Sequence, residues 1–169
     1  MTFTDTHCHL ADPKLADTLP AVLAEAQAAG VARFIVPATS PKDWQAVAQL
    51  ERPSENIHIA LGIHPWFSDG FNEAAFQELE KELIQHPQAW VGEIGLDFYG
   101  KEQTQAQRDT QTDVFIRQLI LAQNLNRRVI IHNLKATAAI AAAVKTAGFT
   151  QGGIVHAFSG SVEEARILV

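Results

Sequence analysis

The 169-residue sequence contains a single cysteine, no long apolar run and no excess of positive charge. With only Cys8 there can be no internal disulfide, as is usual in a reducing cytosol, and we expect a cytoplasmic protein. We expect neither a membrane span, which needs ~18 apolar residues in a row, nor a secretory signal. The formal net charge of −6 argues against a protein that coats nucleic acid by general electrostatics. If the protein handles phosphates, positive charge must be concentrated locally, and bound metal can provide this.

The composition is that of one globular domain. The chain is 47% hydrophobic and 19% charged, and no linker or low-complexity run divides it, so we predict a single domain over residues 1–169. Short runs rich in β-branched residues alternate with longer segments of helical periodicity. The predicted strands lie in TFTDTHC, VARFIVPA, NIHIALGIH, AWVGEIGLD, RRVIIHN and GGIVHAF, and the predicted helices span 15–29, 41–50, 73–85, 104–125 and 135–147, with a sixth beginning at Ser161.

Local signals mark several helix ends. Gly30 and Gly148 follow alanine-rich segments, where a left-handed C-terminal residue is expected. Ser161, with Glu164 three residues later, predicts a capping box. The longest predicted helix carries a broad apolar stripe made of Phe115, Ile116, Leu119, Ile120 and Ala122.

Alternation of strands and helices predicts an α/β fold with a parallel sheet covered by helices. The sheet can be doubly wound or closed into a barrel. The sequence contains neither GxGxxG nor GxxxxGK[ST], the usual marks of nucleotide-binding sheets. Six strand–helix units are visible, whereas a (β/α)8 barrel needs eight and ~250 residues. Because the last unit stops at ARILV, inside a predicted helix, we expect a fragment or an incomplete record of a longer chain.

Polar residues collect at the ends of the predicted strands, where parallel α/β proteins carry their chemistry. His7 and His9 lie two apart and share one face of a strand, whereas Cys8 points away as a core thiol. The full set consists of His7 and His9 after strand one, His64 after strand three, Glu93 and Asp97 on strand four, His132 on strand five and His156 on strand six.

This set of imidazoles and a carboxylate favours a divalent-metal site. The His-x-His pattern is weak by itself, but burying several such groups without a metal would require a hydrogen-bond partner for each. Other interpretations stay open: Glu93 in a structural salt bridge, His64 bracing a turn, and Asp97 capping a helix or turn. We expect Trp66 to pack rather than to stack on substrate.

Five motifs, in order and at their spacings, carry a resemblance to a known family. DTHCHL, GIHPW, VGEIGLDFY, VIIH and VHAFSGS resemble the motifs of the TatD-like metal-dependent hydrolases, from Asp5 to the C-terminus. The resemblance implies a TIM (β/α)8-type barrel with about six of its eight units present here. It also implies a hydrolase whose best-known relatives are deoxyribonucleases, and hence DNA or another phosphodiester as substrate.

The resemblance implies a site with two divalent cations, of zinc, manganese or magnesium. By motif, His7 and His9 hold the first, Glu93 bridges to the second and orients water, and His132 and His156 complete the second. The family's general-base aspartate, on strand eight, has no counterpart in this sequence, which could cost about 10²–10⁴-fold in rate.

Substrate contacts are predicted less directly. Leu134 stands where the family commonly has an arginine, and Lys135 follows one position later. We expect His64 and Lys135 to contact the substrate phosphate, helped by Arg127 or Arg128 if the loop allows.

Two rival functions remain open at this point. The same centre could hydrolyse an amide, an ester or an aminoacyl bond. Alternatively, the chain is no enzyme but an inactive, truncated barrel fragment that binds metal or self-associates, since unpaired strand edges favour association. The full-length family is expected to be monomeric and to have no contact with membranes.

Overall fold

The structure is a computed structural model that describes residues 1–52, 56–100 and 102–169. Within these ranges, six strands alternate with six α-helices, and no helix is long and apolar enough to cross a membrane. The strands are β1 (Phe3–Asp5), β2 (Val31–Pro37), β3 (Ile57–Leu61), β4 (Trp90–Asp97), β5 (Val129–Leu134) and β6 (Gly153–His156). The helices are α1 (Leu19–Ala28), α2 (Trp44–Ala48), α3 (Glu73–Gln85), α4 (Gln105–Asn124), α5 (Thr137–Ala147) and α6 (Val162–Ile167), and short 3₁₀ helices span Pro13–Leu15 and Pro65–Gly70.

All six strands are parallel and lie in one sheet in the order β1-β2-β3-β4-β5-β6. Each strand therefore pairs with its neighbours in sequence. A doubly wound sheet would reverse its strand order at a switch point, whereas a barrel wall keeps the sequence order throughout. The strand order decides between the two predicted closures in favour of the TIM-barrel type.

The two faces of the sheet pack differently, as the two-residue period of a strand requires. In β2, Phe34 and Val36 point toward the helices and join the large core, whereas Ile35 between them points the other way. Ile35 forms a second, small cluster with Ala60 of β3 and Ile130 of β5. This cluster is the inward-facing layer of the curved sheet, and the functional side chains lie at one end of it.

Most of the predicted helices are confirmed, and their ends follow the expected chemistry. α3 has the predicted bounds, with the side chain of Asn72 capping its first turn. Ser161 and Glu164 form the predicted capping box of α6, and Gly148 adopts the left-handed conformation after α5 with φ of 60°. α1 begins at Leu19 instead of residue 15, because the preceding segment forms a 3₁₀ helix that starts at Pro13.

Two local predictions are wrong. Ile120 is 42% exposed, whereas its stripe companions Phe115 and Leu119 are fully buried. The position expected for Ile120 in the core is taken by Gln118, which is fully buried. Strand β1 is also shorter than predicted, since it ends at Asp5, before both histidines of the His-x-His pattern.

Candidate metal centre

Glu93 lies at the centre of the candidate site, in the middle of β4. The register of β4 against β5 shifts between Val91 and Ile94, and Gly92 and Glu93 are the residues inside the shift. Bulges of this kind redirect a side chain and are common next to active sites. Glu93 is only 2% exposed, and its backbone N–H donates to the carbonyl oxygen of Ala38 at 2.8 Å.

Four histidines from four separate segments surround the Glu93 carboxylate. Their ring nitrogens face its two oxygens as follows: His7 Nε2 to Oε2 at 2.8 Å, His156 Nε2 to Oε1 at 2.6 Å, His132 Nδ1 to Oε1 at 3.0 Å and His64 Nε2 to Oε1 at 3.5 Å. A structural salt bridge needs one partner, whereas this carboxylate has four. The arrangement is that of a shared ligand.

The potential ligand atoms form two groups that share Glu93. One contains His7, His9 and Glu93, and the other contains His64, Glu93 and His132. In each group the ligand atoms all lie within 4.8 Å of one another. Imidazole nitrogens and a carboxylate oxygen are the ligands that zinc and manganese accept readily, so the donor set fits one cation in each group.

His7 and His9 reach the site from the loop after β1. Their rings lie 4.8 Å apart at an interplanar angle of 90°, so the two side chains converge even though they are not on a strand. Cys8 between them points away, and its Sγ lies 3.7 Å from the carbonyl oxygen of Ile35. Burial, with a further contribution from Asp5, raises the pKa of the Cys8 thiol to about 12.

His64 and His156 both face the Glu93 carboxylate. His64, predicted to contact substrate, is 4% exposed and belongs to one of the ligand groups. His156, predicted as a ligand beside His132, has its ring 5.6 Å from the His132 ring and also stacks on His7, with ring centroids 3.8 Å apart and planes 4° from parallel. It still touches Glu93, so both histidines lie in the same site.

The histidines and carboxylates of the site change one another's pKa. Burial alone would raise the pKa of Glu93, but the hydrogen bonds from the surrounding histidines outweigh it and hold that pKa far below its usual range. Burial would lower the pKa of His132, yet its contacts with Glu93 and Asp97 raise it. Burial, followed by repulsion from His7, lowers the pKa of His9. Glu93 is therefore an ionised acceptor, and neutral His9 is suited to bind a cation.

A second carboxylate, Asp97, joins the site at the end of β4. Its Oδ2 lies 3.3 Å from His132 Nε2 and accepts a hydrogen bond from the indole Nε1 of Trp66 at 2.7 Å. Its Oδ1 accepts from the backbone N–H of Tyr99 at 3.1 Å, so the predicted turn cap is present as well. The expected packing of Trp66 is wrong, because the residue is 71% exposed.

The contact between Trp66 and Asp97 was not predicted. A polar residue that ends an apolar strand, as in VGEIGLD, was the signal available for Asp97. For Trp66 no such signal exists, because its orientation depends on the 3₁₀ helix that His64 caps by accepting the backbone N–H of Trp66 at 3.2 Å. His64 thus braces a turn and also faces the site.

The basic residues fall at opposite ends of β5. Lys135 follows the last residue of the strand, at the same end as the site, and is exposed. Arg127 and Arg128 precede the strand and line a cavity at its other end, together with Trp90 of β4. The expectation that one of these arginines helps to bind substrate phosphate at this site is therefore wrong.

Comparisons with known proteins agree with the fold and identify the family of the chain. A family model described as TatD related DNase matches residues 4–169. A protein of Escherichia coli K12 named uncharacterized metal-dependent hydrolase YjjV is 33% identical over 169 residues, which cover 99% of this chain and 64% of that protein. A human protein named deoxyribonuclease TATDN3 is 29% identical over 166 residues, which cover 92% of this chain and 60% of that protein.

Solved structures show the same architecture. The crystal structure of YjjV superposes with a TM-score of 0.90 over 98% of this chain and 64% of that chain. A TatD family hydrolase from Entamoeba histolytica, at 21% identity, has the same fold with a TM-score of 0.83. The chain thus spans somewhat less than two thirds of the length of these relatives. The match over residues 4–169 and the 33% identity show that the chain belongs to the TatD-related DNase family of metal-dependent hydrolases.

Proposed function

We propose that this chain carries the metal-binding part of a hydrolase that cleaves DNA phosphodiester bonds with two divalent cations, which can be zinc, manganese or magnesium. The observation that carries the proposal is the shared position of Glu93 between two groups of ligand atoms. A carboxylate between two cations is the usual bridge in two-metal phosphoesterases, where the ions lie ~4 Å apart. The name of the human relative, a deoxyribonuclease, supports DNA as the substrate.

The residues divide into two sets of ligands with Glu93 in both. His7 and His9 would hold one cation, and His64 and His132 the other, with His156 beside them on Glu93. A bound cation of this kind supplies Lewis acidity, which lowers the pKa of a coordinated water and offsets charge on phosphate oxygens. The low pKa of Glu93 keeps the carboxylate ionised, so it can bridge and orient water throughout the neutral range.

The charges of the chain favour attraction of DNA at the metal site only, and not over the whole surface. With a net charge of −6, the chain as a whole repels a polyanion. Two bound dications would reverse the sign at the site itself. Exposed Lys135 at the end of β5 adds one more positive charge there and is our candidate for a phosphate contact. The proposal includes a monomeric, cytoplasmic protein.

The test is a comparison of substrates on metal-loaded protein. The 169-residue protein would be loaded separately with zinc, manganese and magnesium and given a fluorescent single-stranded oligonucleotide, an aryl ester and a cyclic amide. We expect cleavage of the oligonucleotide that a chelator abolishes, and no cleavage of the other substrates. Hydrolysis of the ester or amide without any cleavage of DNA would overturn the proposal in favour of the rival hydrolase.

A matched pair of variants distinguishes the loss of the bridging carboxylate from the general effect of replacing a glutamate that hydrogen-bonds a histidine. Glu93→Gln should abolish cleavage, because a neutral amide cannot bridge two cations. Glu51→Gln is the control, since Glu51 also hydrogen-bonds a histidine, His86 at 2.7 Å, but takes no part in either ligand group. The control should keep full activity. A chain that binds metal and cleaves none of the three substrates would support the non-enzymatic alternative.

A further inference from the structure

His132 differs from the other site histidines in that both of its ring nitrogens face a carboxylate. Nδ1 lies 3.0 Å from Glu93 Oε1, inside the ligand group, and Nε2 lies 3.3 Å from Asp97 Oδ2 on the opposite side of the ring. A ring that has an acceptor at each end has a defined orientation. When Nδ1 binds a cation it carries no proton, so the Nε2–H remains for Asp97.

Asp97 is itself held in place by hydrogen bonds that do not involve the metal ligands. Its Oδ2 accepts the indole N–H of Trp66 at 2.7 Å, and its Oδ1 accepts the backbone N–H of Tyr99 at 3.1 Å. Its own backbone N–H donates to the side-chain Oε1 of Gln111 at 3.0 Å. The residue is 7% exposed. Because the Asp97 carboxylate is held in this way, its hydrogen bond can fix the orientation of the His132 ring.

We propose that Asp97 is a positioning residue for His132: it accepts the Nε2–H and thereby aims Nδ1 at the cation beside Glu93, while Trp66 fixes Asp97. The inference rests on the metal centre of the proposed function and assigns to it two residues outside the ligand groups. Histidine ligands commonly donate their second N–H to a carboxylate, and losing that partner typically costs 10–100-fold in metal affinity. Asp97 belongs to neither ligand group, so its assigned role is positioning rather than catalysis.

The hydrogen-bond pattern of Asp97 predicts that an amide cannot replace it. Both carboxylate oxygens accept from N–H donors, with Tyr99 on one side and Trp66 with His132 on the other. In Asp97→Asn, either orientation of the amide directs its NH₂ group toward an N–H donor. Trp66→Phe is milder, since it removes only the indole donor and leaves Asp97 with its contacts to His132 and Tyr99.

The experiment measures zinc affinity and the state of His132 in the same proteins. Zinc binding would be titrated against a chromophoric chelator in the unmodified chain, in Asp97→Asn, in Asp97→Glu and in Trp66→Phe. We expect Asp97→Asn to weaken one zinc ion about 10–100-fold, Trp66→Phe to weaken the same ion by less, and Asp97→Glu to restore part of the loss. Trp90→Phe is the control, because Trp90 begins β4 at the far end from the site. The zinc affinity of this variant should not change.

Nuclear magnetic resonance of the ¹⁵N-histidine-labelled, zinc-loaded protein supplies the readout that a purely structural role would not affect. We expect a hydrogen-bonded Nε2–H resonance of His132 in the unmodified chain that shifts or disappears in Asp97→Asn. Unchanged affinity and an unchanged resonance in Asp97→Asn would overturn the inference. If that variant does not fold, Asp97→Glu and Trp66→Phe decide together: unchanged zinc affinity and an unchanged resonance in both variants overturn it equally.

The outcomes also separate this inference from the proposed function. Zinc binding that depends on Asp97, in a protein that cleaves no DNA, would uphold the inference and reject the nuclease. DNA cleavage by a protein whose zinc affinity does not depend on Asp97 would uphold the nuclease and reject the inference. A chain that binds none of zinc, manganese and magnesium would reject both.

Discussion

The side-chain amide of Gln118 in α4 forms two hydrogen bonds with the backbone of a single residue, Ile63. Its Oε1 accepts the N–H of Ile63 at 2.8 Å, and its Nε2 donates to the carbonyl oxygen of Ile63 at 3.1 Å. Gln118 is fully buried. Because Ile63 follows β3 and precedes His64, this pair satisfies the backbone at the point where the chain leaves the sheet and enters the site.

Replacing Gln118 by leucine is predicted to destabilise the fold. The leucine fills a similar volume but leaves the N–H and the carbonyl oxygen of Ile63 buried without partners, at about 1–3 kcal/mol each. We expect a loss of about 2–6 kcal/mol in the free energy of unfolding, measured by urea denaturation of the metal-free protein. The control is Gln123→Leu, where the amide accepts from the exposed residue Thr150, with an expected loss of about 1 kcal/mol or less. Equal losses in the two variants would contradict this account.

Gly95 is predicted to be irreplaceable even by alanine. It pairs with His132 across β4 and β5 at a φ of 134°, and an added Cβ would overlap the carbonyl oxygen of His132. We expect Gly95→Ala to lower the free energy of unfolding by more than about 2 kcal/mol and to weaken metal binding, because His132 must move. Gly70 has open space around the position of a Cβ, so Gly70→Ala should change the free energy of unfolding by about 1 kcal/mol or less. Intact metal binding in Gly95→Ala would count against the close approach.

Cys8 is predicted to react slowly despite its place between two ligand histidines. Burial raises the pKa of its thiol to about 12, so at pH 8 the reactive thiolate is about a thousandfold rarer than for an ordinary cysteine. Alkylation by iodoacetamide in the folded, metal-free protein should therefore be slow and should accelerate steadily as the pH rises toward 12. In guanidinium chloride the same thiol should react at the rate of a free cysteine. Equal rates in the two conditions would show that the thiol is accessible and ionises normally.

The sequence was sufficient to predict the alternation of elements and the end of the sheet where the histidines meet. The 3.6-residue period of burial located α3, and the spacing of Ser161 and Glu164 located the capping box of α6. Parallel strands bring their C-terminal ends together, so His132 on β5 and Glu93 on β4 were predicted to meet.

What could not be predicted depends on how individual side chains turn. Gln118 is buried because it hydrogen-bonds the backbone N–H and carbonyl oxygen of Ile63, a requirement that no periodicity reveals, and Ile120 is exposed. The bond from Trp66 to Asp97 joins two segments about thirty residues apart through a 3₁₀ helix whose start is set by His64. Arg128 was expected at the site, but it precedes β5 and so lies at the other end of the strand.

Among the residues that the structure describes, Glu93 is the one candidate ligand that belongs to both groups. His9 belongs only to the group with His7, and His64 only to the group with His132. Loss of a ligand specific to one group should remove one cation, whereas loss of the shared ligand should affect both. The two groups can therefore be distinguished by counting ions.

Removal of single ligands is predicted to change the metal content in whole steps. After loading with zinc and extensive dialysis, elemental analysis should find two ions in the unmodified chain, one in His9→Ala, one in His64→Ala and none in Glu93→Gln. His86→Ala is the control, because His86 pairs with Glu51 outside both groups, and it should retain two ions. One ion retained by Glu93→Gln would mean that the carboxylate serves a single cation. In that case the histidines hold the other ion without it, and Glu93 is no bridge.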